Sequence, residues 1–228
     1  MSKLKVDKRI RSIVSFFDDS LCVADVGCDH GYSCVFCIKE KRARRAIATD
    51  ISEPSLKKAR RLVSDEGLSD VFDFRCGDGL LVLKKDEVDT IIISGVGGQL
   101  LRNILHDGLH VLSDKTSLVL SPNNNEDLVR RWLIDHNFGI INETVISSKG
   151  KYYQIMLAGI KTEKQYTETQ LELGKINIEL KHTVFLEYVK DKIKRMEKAQ
   201  RSIMKNSEKS DRMAYFTKKI NAYKEIIK

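Results

Sequence analysis

Acidic residues close three successive apolar runs of the sequence: Asp29 within Ala24–Tyr32 (ADVGCDHGY), Asp50 after Ala46–Thr49, and Asp78 within Gly77-Asp78-Gly79. In the first of these, Gly27 and Gly31 are spaced G-x-x-x-G, not in the G-x-G-x-x-G of a dinucleotide loop. A glycine after a buried strand lets a ligand come close to the backbone, because no Cβ stands in the way. A carboxylate at Asp29 would repel a pyrophosphate but tolerate a sulfonium cation, so the loop favours S-adenosylmethionine over NAD. Asp50 follows Gly27 by 23 residues, near the roughly 20-residue offset of an acid that binds a ribose hydroxyl pair. A carboxylate there can accept two hydrogen bonds at once. The competing reading is a helix cap, for which Ser52 is better placed than Asp50. Asp78 could accept a hydrogen bond from an adenine amino group, or could serve a plain turn. The expected cofactor set is therefore Asp25, Gly27, Asp29, Gly31, Asp50, Ile51, Gly77, Asp78, Gly79, Ser94 and Gly95.

Two further strand ends look outward from that set. Ser94-Gly95-Val96-Gly97-Gly98 places three glycines before a helix, which costs chain entropy unless something must approach the backbone. Gly97 and Gly98 are read as the floor of a substrate pocket. Pro122, Asn123 and Asn124, in the segment Ser121–Asn125, offer amide groups that could pair with a base edge, or could cap the next helix. Cys34 and Cys37 form a lone C-x-x-C on a helical stretch without a second ligand pair, which fits a buried helix face and predicts no metal.

The elements that must hold these residues follow from periodicity. Val6, Ile10, Ile13 and Phe17 have helix spacing within Leu4–Phe17. Leu21–Val26 is the first strand and Tyr32–Lys39 the helix after its loop. Ala46–Thr49, Val71–Cys76, Val88–Ile93 and Ser117–Leu120 are further apolar runs, each followed by a helical pattern. Helices are expected at Glu53–Glu66, Gly98–His106 and Glu126–His136. Such alternation implies an α/β fold with a parallel sheet and helices on both faces. Ile140–Ser147 and Tyr152–Ile160, separated by Ser148-Lys149-Gly150, read as a hairpin.

Beyond Ile160 no strand signal remains, so two parts are expected, a catalytic domain over 1–160 and a helical arm over 161–228. Met213, Phe216, Ile220, Tyr223 and Ile227 keep three-four spacing, and Phe185, Val189, Met196 and Ile203 a looser version. With a break at Lys205–Asp211, this suggests an antiparallel helical hairpin of coiled-coil type. The charge is uneven as well: residues 1–160 carry 23 basic against 22 acidic side chains, and residues 161–228 carry 17 against 10. A cationic segment on a near-neutral body fits a polyanionic partner, although a solvated basic helix surface would look the same. No run approaches the roughly 20 apolar residues of a membrane span, and the N-terminus lacks a secretion signal. A cytoplasmic protein with reduced cysteines is expected.

The stretches Ala24–Tyr32 (ADVGCDHGY), Ala48–Asp50, Gly77–Leu80 (GDGL), Gly95–Gly98 (GVGG) and Ser121–Asn124 (SPNN) resemble the bacterial tRNA (adenine(22)-N1)-methyltransferases. The similarity runs from about Ile10 to Ile160, and the tail matches in layout. Val96 and Ser121 depart from the family pattern, which bears on pocket shape. The resemblance implies the Rossmann-like seven-stranded class I methyltransferase sheet, with a C-terminal coiled-coil arm. It also implies methyl transfer from S-adenosylmethionine to N1 of an adenine in tRNA by a monomer. Asp29, His30 and Tyr32 would then be catalytic, Asp29 meeting the developing charge or the amino proton while His30 and Tyr32 orient the base. Lys194, Arg195, Lys198 and Arg201 would hold tRNA phosphates.

Overall fold

The computed structural model describes residues 4, 6–161, 165–205 and 210–228. Its contacts divide the chain into two compact units, Met1–Gln165 and Tyr166–Lys228. The first contains α1 (Lys8–Val14), β1 (Ser20–Val26), α2 (Tyr32–Lys39), β2 (Ala43–Asp50), α3 (Glu53–Asp65), β3 (Phe72–Cys76), β4 (Thr90–Ser94), α4 (Gly98–Asp107), β5 (Ser117–Ser121), α5 (Glu126–Asp135), β6 (Phe138–Ser148) and β7 (Lys151–Ile160).

The seven strands form one sheet in the order β3-β2-β1-β4-β5-β7-β6. β1 to β5 are mutually parallel, and β7 enters antiparallel to both β5 and β6. The central strands are sealed on both faces: Val23, Ala24, Ile91, Ile92, Ile93, Leu118, Val119 and Leu120 have no exposed surface. That burial explains why β4 and β5 read as continuous apolar runs and not as alternating ones. Strand order reverses between β1 and β4, which leaves a crevice at their carboxyl ends where an open α/β sheet takes its ligand. The hairpin closes through Lys149 and Gly150, both left-handed, the backbone that matches the twist of a two-residue turn.

One sequence expectation fails in this unit. No helix follows β3; residues 77–89 form turns, with the Leu81 N–H on the Asp78 carbonyl and the Leu83 N–H on the Leu80 carbonyl, both at 3.0 Å. The apolar residues Leu80, Leu83 and Val88 are buried, which imitates helix spacing in the sequence. Arg75 holds the segment instead, donating to Val82 O at 2.9 Å and forming a fork with the two Glu87 oxygens at 2.6 and 2.7 Å. A second fork lies inside the core. Arg130 of α5, fully buried, donates to Glu143 of β6 at 2.6 and 3.1 Å and to Gln154 of β7 at 2.6 Å. It pins α5 to the antiparallel pair.

The second unit contains α6 (Glu168–Leu173), α7 (Lys175–Leu180), α8 (Thr183–Lys205) and α9 (Ser210–Ile226). α6 opens with a capping box in which Thr167 and Gln170 satisfy each other's backbone N–H groups. α8 and α9 pack together, with Gln200 Nε2 on Thr217 Oγ1 at 2.8 Å and Lys224 Nζ on Glu197 at 2.8 Å, pairs that run in opposite senses along the two helices. Of the apolar stripe expected from the sequence, Phe185, Val189, Ile220 and Tyr223 are buried and Met196, Met213, Phe216 and Ile227 half-buried, while Tyr188 and Ile193, outside that stripe, are also buried. The expected break at Lys205–Asp211 falls mostly on residues outside those described.

Candidate active site

The loop after β1 is built around Gly27, which adopts φ +73° with nothing within 4 Å of the position a Cβ would take. Its glycine is thus required by backbone conformation, and the space beside it is open. The Gly27 and Cys28 N–H groups both donate to Thr49 O at 2.9 Å, tying the loop to the end of β2. Asp29 is also left-handed, which an aspartate tolerates better than most side chains.

Asp50 braces this turn. Its Oδ2 accepts from the Asp29 N–H at 3.0 Å and its Oδ1 from the Ser52 N–H at 2.8 Å. Each oxygen retains a lone pair for a further donor. Ser52 is the N-cap of α3, accepting from the Ser55 N–H, so capping does not account for Asp50. Ile51 beside it is 73 % exposed, an uncovered apolar side chain at a strand end. Asp78 is exposed and makes no side-chain hydrogen bond among the described residues. Gly77 and Gly79 lie close to Val82 and Ile104, respectively, which gives both an internal packing reason. Gly31 likewise starts α2 in close approach to Ala59 of α3.

A cleft of about 210 Å³ brings Asp25, Gly27, Asp29, His30, Tyr32 and Ser94 together with Asp7, Arg9, Ile10, Ile13, Cys28 and Ser33. A larger groove of about 310 Å³ runs between α4 and α5, but it holds none of the residues at the strand ends. The residues at the ends of β1 and β4 gather in the smaller one. Within it, His30 Nδ1 lies 2.7 Å from Asp29 Oδ2, and the His30 and Tyr32 rings are 6.0 Å apart. Both Asp29 and His30 are open to solvent. Asp25 is buried, and loss of water pushes its carboxyl up to about 7, against the Ser33 hydroxyl that favours the charged form; Asp50 adds to the rise. The thiols of Cys28, Cys34 and Cys37 are also pushed up by burial, which makes them poor nucleophiles.

The glycine and asparagine segments are joined to one another. Gly98 N–H donates to Asn124 O at 3.0 Å and Oδ1 at 3.3 Å, and a Cβ on Gly98 would lie 2.3 Å from Asn125 O. Gly97 faces the Asn124 side chain, and Gly95 N–H reaches Ser121 O at 3.3 Å. Asn123 and Asn124 are both exposed, and each amide is engaged within the protein only in part, Asn124 through its Oδ1 alone. Asn123 accepts from Arg9 at 3.0 Å and donates to Gly95 O. Neither amide caps α5, whose cap residue Asn125 makes no side-chain bond. Pro122 is buried between them.

Sequence reasoning missed Arg9 and Asp7, since a short N-terminal helix carries no mark of the cleft it closes. In the second unit, Lys194, Lys198 and Arg201 are exposed and share one face of α8, while Arg195 pairs with Asp191 at 2.7 Å. Lys219 is half withdrawn, paired with Glu172 at 2.6 Å. Among the described residues no cluster of His, Cys, Asp or Glu is arranged to hold a metal, and no helix is long and apolar enough to cross a membrane.

A sheet of this order, with acids at three neighbouring strand ends and one of them, Asp29, lining the cleft at the β1–β4 reversal, defines a Rossmann-like methyltransferase; Asp50 and Asp78 lie outside the residues lining that cleft. Residues 23–225 match the model of the TrmK family, tRNA (adenine(22)-N(1))-methyltransferase, and the chain belongs to that family. The tRNA (adenine(22)-N(1))-methyltransferase of Bacillus subtilis (strain 168) is 35 % identical over 158 residues, a stretch spanning 69 % of this chain and 66 % of that protein. The crystal structure of the B. subtilis tRNA methyltransferase TrmK superposes with a TM-score of 0.90 at 27 % identity, covering 99 % of this chain and 100 % of that one. A Streptococcus pneumoniae putative tRNA methyltransferase in complex with S-adenosyl-L-methionine superposes with a TM-score of 0.89 at 28 % identity, covering 98 % and 100 %.

Proposed function

We propose that this chain is an S-adenosylmethionine-dependent methyltransferase acting on N1 of adenine 22 in tRNA. The observation that carries the reading is the cleft at the β1–β4 reversal, where Asp29, His30 and Tyr32 meet Gly27, Asp25 and Ser94 in a chain of this family. The residues fit the cofactor: open space at Gly27, spare lone pairs on Asp50, an uncovered Ile51 and a hydrogen-bond-free Asp78 carboxylate are what a ribose and an adenine need. Gly27, Asp50, Ile51 and Asp78 would hold it, with Asp25, Gly31, Gly77, Gly79, Ser94 and Gly95 shaping the surround. When bound, it supplies an electrophilic methyl group on a sulfonium.

The target ring nitrogen brings its own lone pair, so this site needs orientation and charge complementarity more than a strong base. Asp29 supplies the negative charge. His30 Nδ1 is engaged with Asp29, which leaves Nε2 for a hydrogen bond to the adenine base. Tyr32, about one-third exposed beside it, offers a face for base stacking. Gly97, Gly98 and Pro122–Asn124 would form the facing wall, with the exposed Asn123 and Asn124 side chains able to meet a base edge. Lys194, Arg195, Lys198 and Arg201 would contact phosphates away from the base. The protein is read as a cytoplasmic monomer.

The test is labelled methyl transfer to bulk tRNA. Single-turnover rates at saturating cofactor should fall in His30→Ala and Tyr32→Ala while cofactor affinity changes little. Parental rates in both would remove these side chains from the reaction.

A further inference from the structure

Arg9 lies on α1, before the first strand, and its side chain reaches the end of β5. Its Nη2 donates to Ser121 O at 2.6 Å and to Ser121 Oγ at 3.3 Å, and its Nη1 donates to Asn123 Oδ1 at 3.0 Å. The guanidinium lies over the Tyr153 ring of β7, 4.3 Å from its centre. Asn123 carries the linkage onward, its side chain donating to Gly95 O and its N–H to Val96 O at 2.8 Å. One planar fork thus joins α1, the end of β5, the segment after β5 and the segment after β4. Arg9 Nε is buried without a partner, so the side chain is not placed there to satisfy all its own donors. Withdrawing a guanidinium from water is costly unless its geometry serves something.

We propose that Arg9 is a positioning residue for the reaction: it locks Ser121–Asn123 against Gly95–Val96 and so fixes the wall on which the target base is seated. This deepens the function proposed above and rests on it. A lysine would keep the charge, but its single ammonium cannot reproduce the planar fork that reaches Ser121 and Asn123 together.

The experiment uses the full chain with Arg9→Lys, and with Asn123→Ala, which breaks the same linkage without touching α1. Hydrogen exchange at 121–125 should quicken in both variants while exchange in β1 and α2 stays parental. Single-turnover methylation of tRNA at saturating cofactor should fall roughly tenfold to a hundredfold, as for the removal of a buried hydrogen bond or two, with the cofactor Kd within about twofold of the parent. The double variant should be no slower than the slower single one, because both act on one linkage. Parental exchange at 121–125 overturns the lock. A raised cofactor Kd with a retained rate also overturns it, since Arg9 would then be a cofactor ligand. A parent protein that leaves tRNA unmethylated refutes the proposed function separately, and the exchange comparison still decides the lock.

Discussion

At the scale of single residues, Asp50 braces the loop after β1 and is the proposed ribose acceptor. Because it already accepts from the Asp29 and Ser52 N–H groups, Asp50→Ala removes both the brace and the ribose acceptor. Cofactor affinity should drop by roughly 1 to 3 kcal/mol, and calorimetry showing parental affinity would refute the ribose role. Asp25 makes a different claim. Its carboxyl is raised to about 7 by burial, so the stability it contributes is present at low pH and is lost as pH rises from the ordinary aspartate range through about 7. Asp25→Asn should therefore melt higher than the parent at about pH 8, by up to several kcal/mol of stability, and converge with it near about pH 4. Thermal unfolding across that range checks the sign. The offset from Gly27 to Asp50 was legible in the sequence because it is set by the length of one helix and one strand. Arg9 was not, since its partners Ser121 and Asn123 lie more than a hundred positions away. A sequence also cannot show that Arg9 and Gly98 each take an oxygen of the asparagine amides proposed to meet the base.

Elements are held by polar groups as much as by the core. The Arg130–Glu143 pair is wholly buried, so Glu143→Leu removes the carboxylate to which Arg130 donates and should cost about 3 to 5 kcal/mol. Adding Arg130→Met should restore much of that stability, since removing both charges removes the penalty. Denaturant unfolding of the single and double variants is the check, and equal destabilisation in both would contradict it. Gly98→Ala should also destabilise, because the new Cβ meets the Asn124 and Asn125 carbonyls, backbone atoms that cannot rotate away. The parallel strands and the hairpin were legible because burial on both faces and a Lys-Gly turn leave strong marks. α6 and α7 are six residues each, too short for a 3.6-residue period, although Thr167 and Gln170 carried the capping signal. The segment after β3 misled because Leu80, Leu83 and Val88 point inward from turns.

For the whole molecule, residues 161–228 carry seven excess positive charges, which the proposed function assigns to a polyanionic substrate. Reversing Lys194, Lys198 and Arg201 to Glu leaves the buried face of α8 untouched and should weaken tRNA binding while preserving cofactor affinity. The logarithmic salt dependence should become shallower by roughly 2 to 3, about one for each phosphate that is no longer neutralised. Parental binding at low salt would move the RNA surface to the first unit. The central claim, that this fold methylates N1 of adenine 22, is tested most directly by reverse transcription of tRNA incubated with the protein and S-adenosylmethionine. A methyl group at N1 blocks pairing, so the account predicts a new stop at that adenine, absent without protein and abolished in Gly27→Trp. Labelled tRNA whose new stop lies at another nucleotide, or that shows no new stop, would contradict it.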